Sequence, residues 1–349
     1  MHHHDFFGQR SKRIVQFIVT GSMILSLIVI LSSAIDVSTL QPKPAQRIAS
    51  ATATRSTSSI IPATPTISSP QLGLSCRTLP HNAGDSTVSI NSVGLKRTFI
   101  VHLAPSYGTQ PQPLVINYHG YNFTAAKMEH YSNMATEADK AGFILVFPQG
   151  VDDPPSWNAG IGAYGPTADT DDVQFTRDML YYLETKYCVD TQRVYVTGFS
   201  LGGGMAYRIA CTLSDQIAAV ATVAGAFYHF PGGCQPSRPV PVLEIHGQAD
   251  KDAPYDGNPP LMMAAVSTYL DEWLNHDHCS GSSQAIFQQG DVTGIEWKHC
   301  ASGTIVVHYM VSDGGHTWPG GGIISTLGYR TTVIDANTVI WNFFRQFST

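Results

Sequence analysis

A serine between glycines, an aspartate just beyond an apolar run and a histidine in a glycine-rich loop follow one another in this chain, and together they could carry out acyl transfer. Ser200 sits in Gly198-Phe199-Ser200-Leu201-Gly202. The β-branched and aromatic run Val194 to Thr197 suits a buried strand, and the apolar segment Met205 to Ala210 suits a helix. A G-x-S-x-G turn between strand and helix is a nucleophile elbow, in which small residues let the two elements approach and the serine Oγ projects above the sheet edge. The helix N-terminus beneath it favours developing negative charge, and the amide of Leu201 can serve as one oxyanion donor.

Such a serine needs a base, and the base needs an orienting acid. His316 lies in a loop of five glycines, one tryptophan and one proline after the final predicted strand, where it can reach over the nucleophile as general base. Asp250 stands three residues past Gly247, in the loop that ends the predicted strand Pro241 to Gly247. Loops at the carboxyl ends of strands collect the chemistry of open α/β sheets, and Asp252 and Asp256 are close rivals there. The His119-Gly120 pair after an early strand suits a second oxyanion donor, the amide of Tyr121. His246, His299 and His308 lie within or beside predicted strands and read as structural. Asp171 and Asp172 open a predicted helix running to Lys186, where acids suit the macrodipole better than a metal.

These residues require a scaffold of alternating strands and helices. Strands are predicted at 96–103, 113–118, 143–147, 217–223, 293–298 and 304–311. Helices are predicted within 122–140 and at 261–275 and 331–347. Two irregular stretches, 148–170 and 225–238, fall where a substrate rim is expected. Trp157, Phe227, Tyr228 and Trp318 are the aromatic candidates for contact with a flat acyl or sugar group.

Of 349 residues, 43% are apolar and 13% charged, ample for one α/β domain with appendages. Arg10, Lys12 and Arg13 precede an apolar run from Ile14 to Ile35, so residues 1–35 read as a cleavable export signal or a retained membrane anchor. Either outcome puts the remainder outside, in solution or tethered to the outer face of the membrane. Residues 36–75, rich in Ser, Thr, Pro and Ala, read as a disordered stalk, leaving 76–349 as the catalytic domain. That domain carries a net charge of about −10, which disfavours nucleic acid as a partner. Membrane contact is expected only through the N-terminal segment, and the chain is taken as a monomer. All six cysteines follow the stalk without a C-x-x-C pair, which outside the cytoplasm reads as disulfides. Nearest-neighbour logic favours Cys211–Cys234 and Cys279–Cys300, leaving Cys76 to pair with Cys188.

From Cys76 onward the chain resembles the secreted esterases grouped with polyhydroxybutyrate depolymerases and feruloyl or acetyl-xylan esterases. The resemblance rests on YHG at 118–120, TDDVQF at 170–175, RVYVTGFSLGG at 193–203, HGQAD at 246–250 and GGHTWPG at 314–320. It implies an α/β-hydrolase fold, a single domain with a mostly parallel sheet flanked by helices. It also implies Ser200 as nucleophile, Asp250 as acid, His316 as base, and the Tyr121 and Leu201 amides as oxyanion hole. Tyr121 and Leu201 replace a cysteine and an asparagine often found at these places, but both would donate through the backbone. The expected substrates are feruloyl or acetyl esters of plant polysaccharide, with a polyester as the alternative and no metal or organic cofactor. A peptidase, an acyltransferase and an idle sugar-binding protein are the remaining alternatives.

Overall fold

A computed structural model describes residues 76, 81–108, 110–162 and 170–349. The expected export segment or anchor, 1–35, and the expected stalk, 36–75, lie outside the described residues. No helix among the described residues is long and apolar enough to cross a membrane.

The first part of the chain builds β1 (Gly84–Ser92), β2 (Leu95–Leu103), β3 (Gln112–Tyr118), α1 (Ala125–Ser132), α2 (Met134–Ala141) and β4 (Ile144–Pro148). The middle gives α3 (Asp172–Lys186), β5 (Val189–Phe199), α4 (Leu201–Thr212), β6 (Ala219–Val223) and β7 (Val242–Gly247). The end gives α5 (Val266–His276), β8 (Gln284–Gln289), β9 (Val292–Trp297), β10 (Val306–Val311) and α6 (Ala336–Phe344). One ten-stranded sheet has the order β1-β2-β4-β3-β5-β6-β7-β10-β9-β8. Its centre, from β4 to β10, is parallel, and both margins are antiparallel.

The central strands are almost wholly buried and mostly apolar because helices cover both faces. Along β5, Val194 and Val196 enter one core with α3, α4 and α5, whereas Tyr195 and Phe199 enter the other with α1, α2 and α6. The mostly parallel α/β sheet and its three disulfides, Cys76–Cys188, Cys211–Cys234 and Cys279–Cys300, agree with the sequence expectation.

Several boundaries differ. The predicted helices at 261 and 331 begin later, at Val266 and Ala336, the second because the Asp335 side chain caps it by accepting the amide of Thr338. Within 122–140 there are two helices, divided at Asn133, whose left-handed backbone (φ 55°) ends one and starts the other. The edge strands β1 and β8 escape a reading of hydrophobic pattern because both are largely exposed. Strand β1 pairs with β2 across a Val93-Gly94 turn with positive φ at both positions.

Asp171 caps α3 by accepting the amide of Gln174 at 2.8 Å. Asp172 is buried, 2.7 Å from Arg97 of β2, and also accepts the amide of Asn158 at 2.7 Å. This ties the irregular stretch after β4 to the sheet. Removing one partner of a buried pair strands the other charge, so Arg97→Met is expected to lower unfolding free energy by about 3–5 kcal/mol. Urea unfolding measures this, and a loss below about 1 kcal/mol would place the pair in the range of surface ion pairs.

Candidate active site

Strand β5 ends at Phe199 and α4 begins at Leu201, so the whole reversal falls on Ser200. Its backbone adopts φ 57° and ψ −124°, a conformation costly for a residue with a Cβ. Hydrogen bonds hold it there. Ser200 N donates to Val223 O of β6 at 3.1 Å, while its carbonyl accepts the amides of Gly203 and Ala226, each at 2.9 Å. Glycine is required on either side: a Cβ at 198 would lie 2.2 Å from Gly202 O, and one at 202 would lie 2.1 Å from Tyr118 O.

The loops after β7 and β10 are laced together, with Gln248 N donating to Val311 O and Ala249 N to Gly314 O, both at 2.9 Å. This brings Asp250 beside His316. His316 Nδ1 donates to Asp250 Oδ2 at 2.7 Å, and its ring packs on Phe199 at 4.7 Å between centroids. The other carboxylate oxygen, Oδ1, accepts the amides of Asp252 and Ala253 at 2.9 and 2.8 Å. Burial alone would raise the Asp250 carboxyl, but hydrogen bonds from His246 and His316 hold it well below the usual carboxylate range. Of the two rivals, Asp252 has a carboxylate oxygen within 4.8 Å of the Asp250 and His316 ligand atoms but is exposed, and Asp256 is exposed on another groove.

Ser200 and His316 line one cavity of about 340 Å³ together with Gly120, Tyr121 and Leu201. Leu201 is the first residue of α4, where amides have no partner within the helix. The Gly120-Tyr121 turn is held by His119, whose buried ring bridges two backbone groups. Its Nδ1 donates to Gly120 O at 2.7 Å and its Nε2 accepts the amide of Gly150 at 2.9 Å. Only a neutral ring can do both. Burial pushes His119 down to about 4 accordingly. Its role went unread in the sequence, where only the His-Gly pair signalled a turn.

The aromatic candidates separate. Tyr228 lines the cavity. Trp157, Phe227 and Trp318 do not: they are core residues, which corrects the expectation that they face substrate. Each has a local reason. Trp157 Nε1 donates to His119 O at 2.8 Å, Trp318 Nε1 to Asn337 Oδ1 at 3.0 Å, and Phe227 stacks on Tyr269 at 3.8 Å. The apolar wall comes instead from Phe123, Phe199, Ala226 and Leu327. Beyond Asp252 and Leu327 a second groove of about 290 Å³, lined by Lys251, Asp313, Ser325 and Tyr329, continues past Gly315.

The layered sheet, the strained turn at the end of β5 and the loops that meet above it define an α/β hydrolase. The profile of the phospholipase/carboxylesterase family matches residues 105–282. Over 280 residues the chain is 32% identical to the putative esterase NocK of Nocardia uniformis subsp. tsuyamanensis, covering 72% of this chain and 79% of that protein. Over 222 residues it is 34% identical to feruloyl esterase B of Piromyces equi, covering 60% of this chain but 40% of that protein. The chain therefore spans less than half of the Piromyces protein. Among solved structures, an acetyl xylan esterase from Aspergillus awamori aligns with a TM-score of 0.51 at 15% identity, covering 66% of this chain and 94% of that one, a likeness of fold. The chain belongs to the phospholipase/carboxylesterase family of α/β hydrolases. That membership puts its domain among the serine carboxylic ester hydrolases.

Proposed function

We propose that this chain is an extracytoplasmic esterase that hydrolyses feruloyl- or acetyl-type esters of plant polysaccharide through Ser200, His316 and Asp250. The carrying observation is the Asp250–His316 hydrogen bond beside a cavity that also exposes the strained Ser200. In this reading His316 Nε2 takes the Ser200 proton as Oγ attacks the ester carbonyl. The Tyr121 and Leu201 amides then receive the oxyanion. Collapse of the tetrahedral adduct breaks the bond to the alcohol, which leaves with the proton held by His316. Water, activated in turn by His316, releases the acid from Ser200.

The shape of the cleft supports the substrate class. Phe123, Phe199, Tyr228 and Leu327 offer an apolar bed for a short or aromatic acyl group. The leaving oxygen must lie next to His316 to be protonated, so the alcohol extends along the His316 loop. There the second groove offers carboxylates, hydroxyls and the exposed Tyr329 ring, which suit a polyhydroxylated group. Feruloyl and acetyl-xylan esterases among the relatives support the same reading. Three disulfides and the apolar N-terminal run support export.

Initial rates on methyl ferulate, p-nitrophenyl acetate and a hydroxybutyrate oligomer test this. Hydrolysis of ferulate or acetate ahead of the oligomer is the expected result. Preference for the oligomer would make the chain a polyester depolymerase, and no hydrolysis of any of the three would remove the esterase reading.

A further inference from the structure

Beneath the loop that carries Asp250 lies a second set of ionisable groups with no part in the mechanism above. Glu244 and His246 are two residues apart on β7, hence on one face of the sheet, and the register sets Glu244 opposite His308 of β10. All three are buried, at 0%, 1% and 2% exposure. His246 Nδ1 lies 2.8 Å from Glu244 Oε1. Its Nε2 lies 2.8 Å from the carbonyl oxygen of Ala253 and 3.4 Å from Asp250 Oδ2. The Ala253 carbonyl can only accept, which places hydrogen on Nε2, and an ionised Glu244 places a second on Nδ1, which makes the ring an imidazolium.

The surrounding charges agree. Burial by itself would lower His246, but Glu244 and Asp250 raise it to about 10. On the far side, Glu244 Oε2 lies 2.7 Å from His308 Nδ1, and His308 Nε2 meets the Tyr255 hydroxyl at 2.8 Å. Tyr269 of α5 also feels the Glu244 charge. His246 is thus the cation shared by two buried carboxylates, one of which holds His316.

We propose that His246 is a positioning residue for ester hydrolysis: clamped between Glu244 and Asp250, it holds Oδ2 of Asp250 aimed at His316, and it offsets part of the pull of Asp250 on the protonated base. The inference rests on the roles proposed above for Asp250 and His316. Without the imidazolium, two carboxylates would share a dry site, and repulsion would drive the more deeply buried Glu244 to take up a proton, while Asp250 keeps its amide and His316 donors and stays ionised. Asp250 would also stabilise protonated His316 more strongly, leaving less free base in mildly acidic solution.

The test uses the full chain and its His246→Gln variant. The acid limb of the kcat/KM profile is expected to move to higher pH by about one unit, with KM changed less than about twofold. An unmoved limb in a folded variant overturns the proposal. Ring-nitrogen NMR of the wild type at pH 8 is expected to show both His246 nitrogens protonated, and a singly protonated ring overturns it independently of any activity. Stability gives a third readout. Because His246 is raised above the ordinary histidine value of about 6.5, the clamp stabilises the fold fully below that value and is lost as pH rises through about 10. The melting temperature should fall over that window in the wild type and fall less in His246→Gln; equal slopes count against the clamp. Should that variant not fold, Glu244→Gln is expected to bring His246 back toward the ordinary histidine range and move the acid limb the same way, and an unchanged limb overturns the proposal. A wild type without Ser200-dependent hydrolysis would sink the esterase reading, while the NMR result would still decide whether the clamp exists.

Discussion

Ser200→Ala is expected to lower kcat on a p-nitrophenyl ester by a factor on the order of 10⁵–10⁶, with a melting temperature close to that of the parent chain. The loss is large because in the proposed mechanism the hydroxyl is the group that attacks, and the strained turn places no other side chain at that point above the sheet. The fold should be indifferent. The Ser200 side chain caps no amide of α4, and the strain at φ 57° belongs to the backbone and is the same for alanine. The substitution therefore separates chemistry from stability. A serine-directed phosphonate should label the parent and not the variant. Retention of more than about a hundredth of the parent rate would show that ester cleavage occurs at another site.

The second large effect is expected at Asp250. In Asp250→Asn, the amides of Asp252 and Ala253, which now bond Oδ1, can be met only by the new carbonyl oxygen. The new NH₂ group must then take the place of Oδ2. There it faces Nδ1 of His316, which can accept only by moving its proton to Nε2, the nitrogen that must be free to take the serine proton. The same NH₂ also meets the Nε2–H of His246 donor to donor. A fall in kcat of about 10⁴, the magnitude seen when this tautomer is reversed in comparable triads, is expected. Asp252→Asn is the control. Its carboxylate lies near His316, but His316 hydrogen-bonds to Asp250, so a change of less than about tenfold is expected. Reversal of the two effects would transfer the orienting role to Asp252.

Much of this site was legible in the sequence because its requirements are local. The glycines at 198 and 202 are demanded by contacts within one strand-turn-helix unit, and a serine between them leaves few other readings. The order Ser200, Asp250, His316 and the cysteine neighbours at 211–234 and 279–300 also lie close to their signals in the chain.

Other features became visible only after folding. Asp250 and Asp252 are alike in sequence, and what separates them is a pair of backbone amides and a histidine 66 residues away. Nothing in the residues around Trp157, Phe227 and Trp318 tells a cleft-facing ring from a core ring. The acceptors for the indole N–H groups and the stacking partner of Phe227 are supplied by distant segments, and the apolar cleft wall falls to Phe123 and Leu327 instead. Strands β1 and β8 form because β2 and β9 present open edges to them, although their own side chains carry little hydrophobic pattern. His246 reads as an ordinary strand histidine until β7 and β10 pair and the loop folds back over it. The elbow was readable from the chain alone, as were the types and order of the residues proposed to react, because steric demands on a turn act between near neighbours. Which acid meets His316, which aromatic lines the cleft and which buried histidine lies against Asp250 emerged only with the tertiary structure, because burial and hydrogen-bond partners are set by segments far apart in the chain.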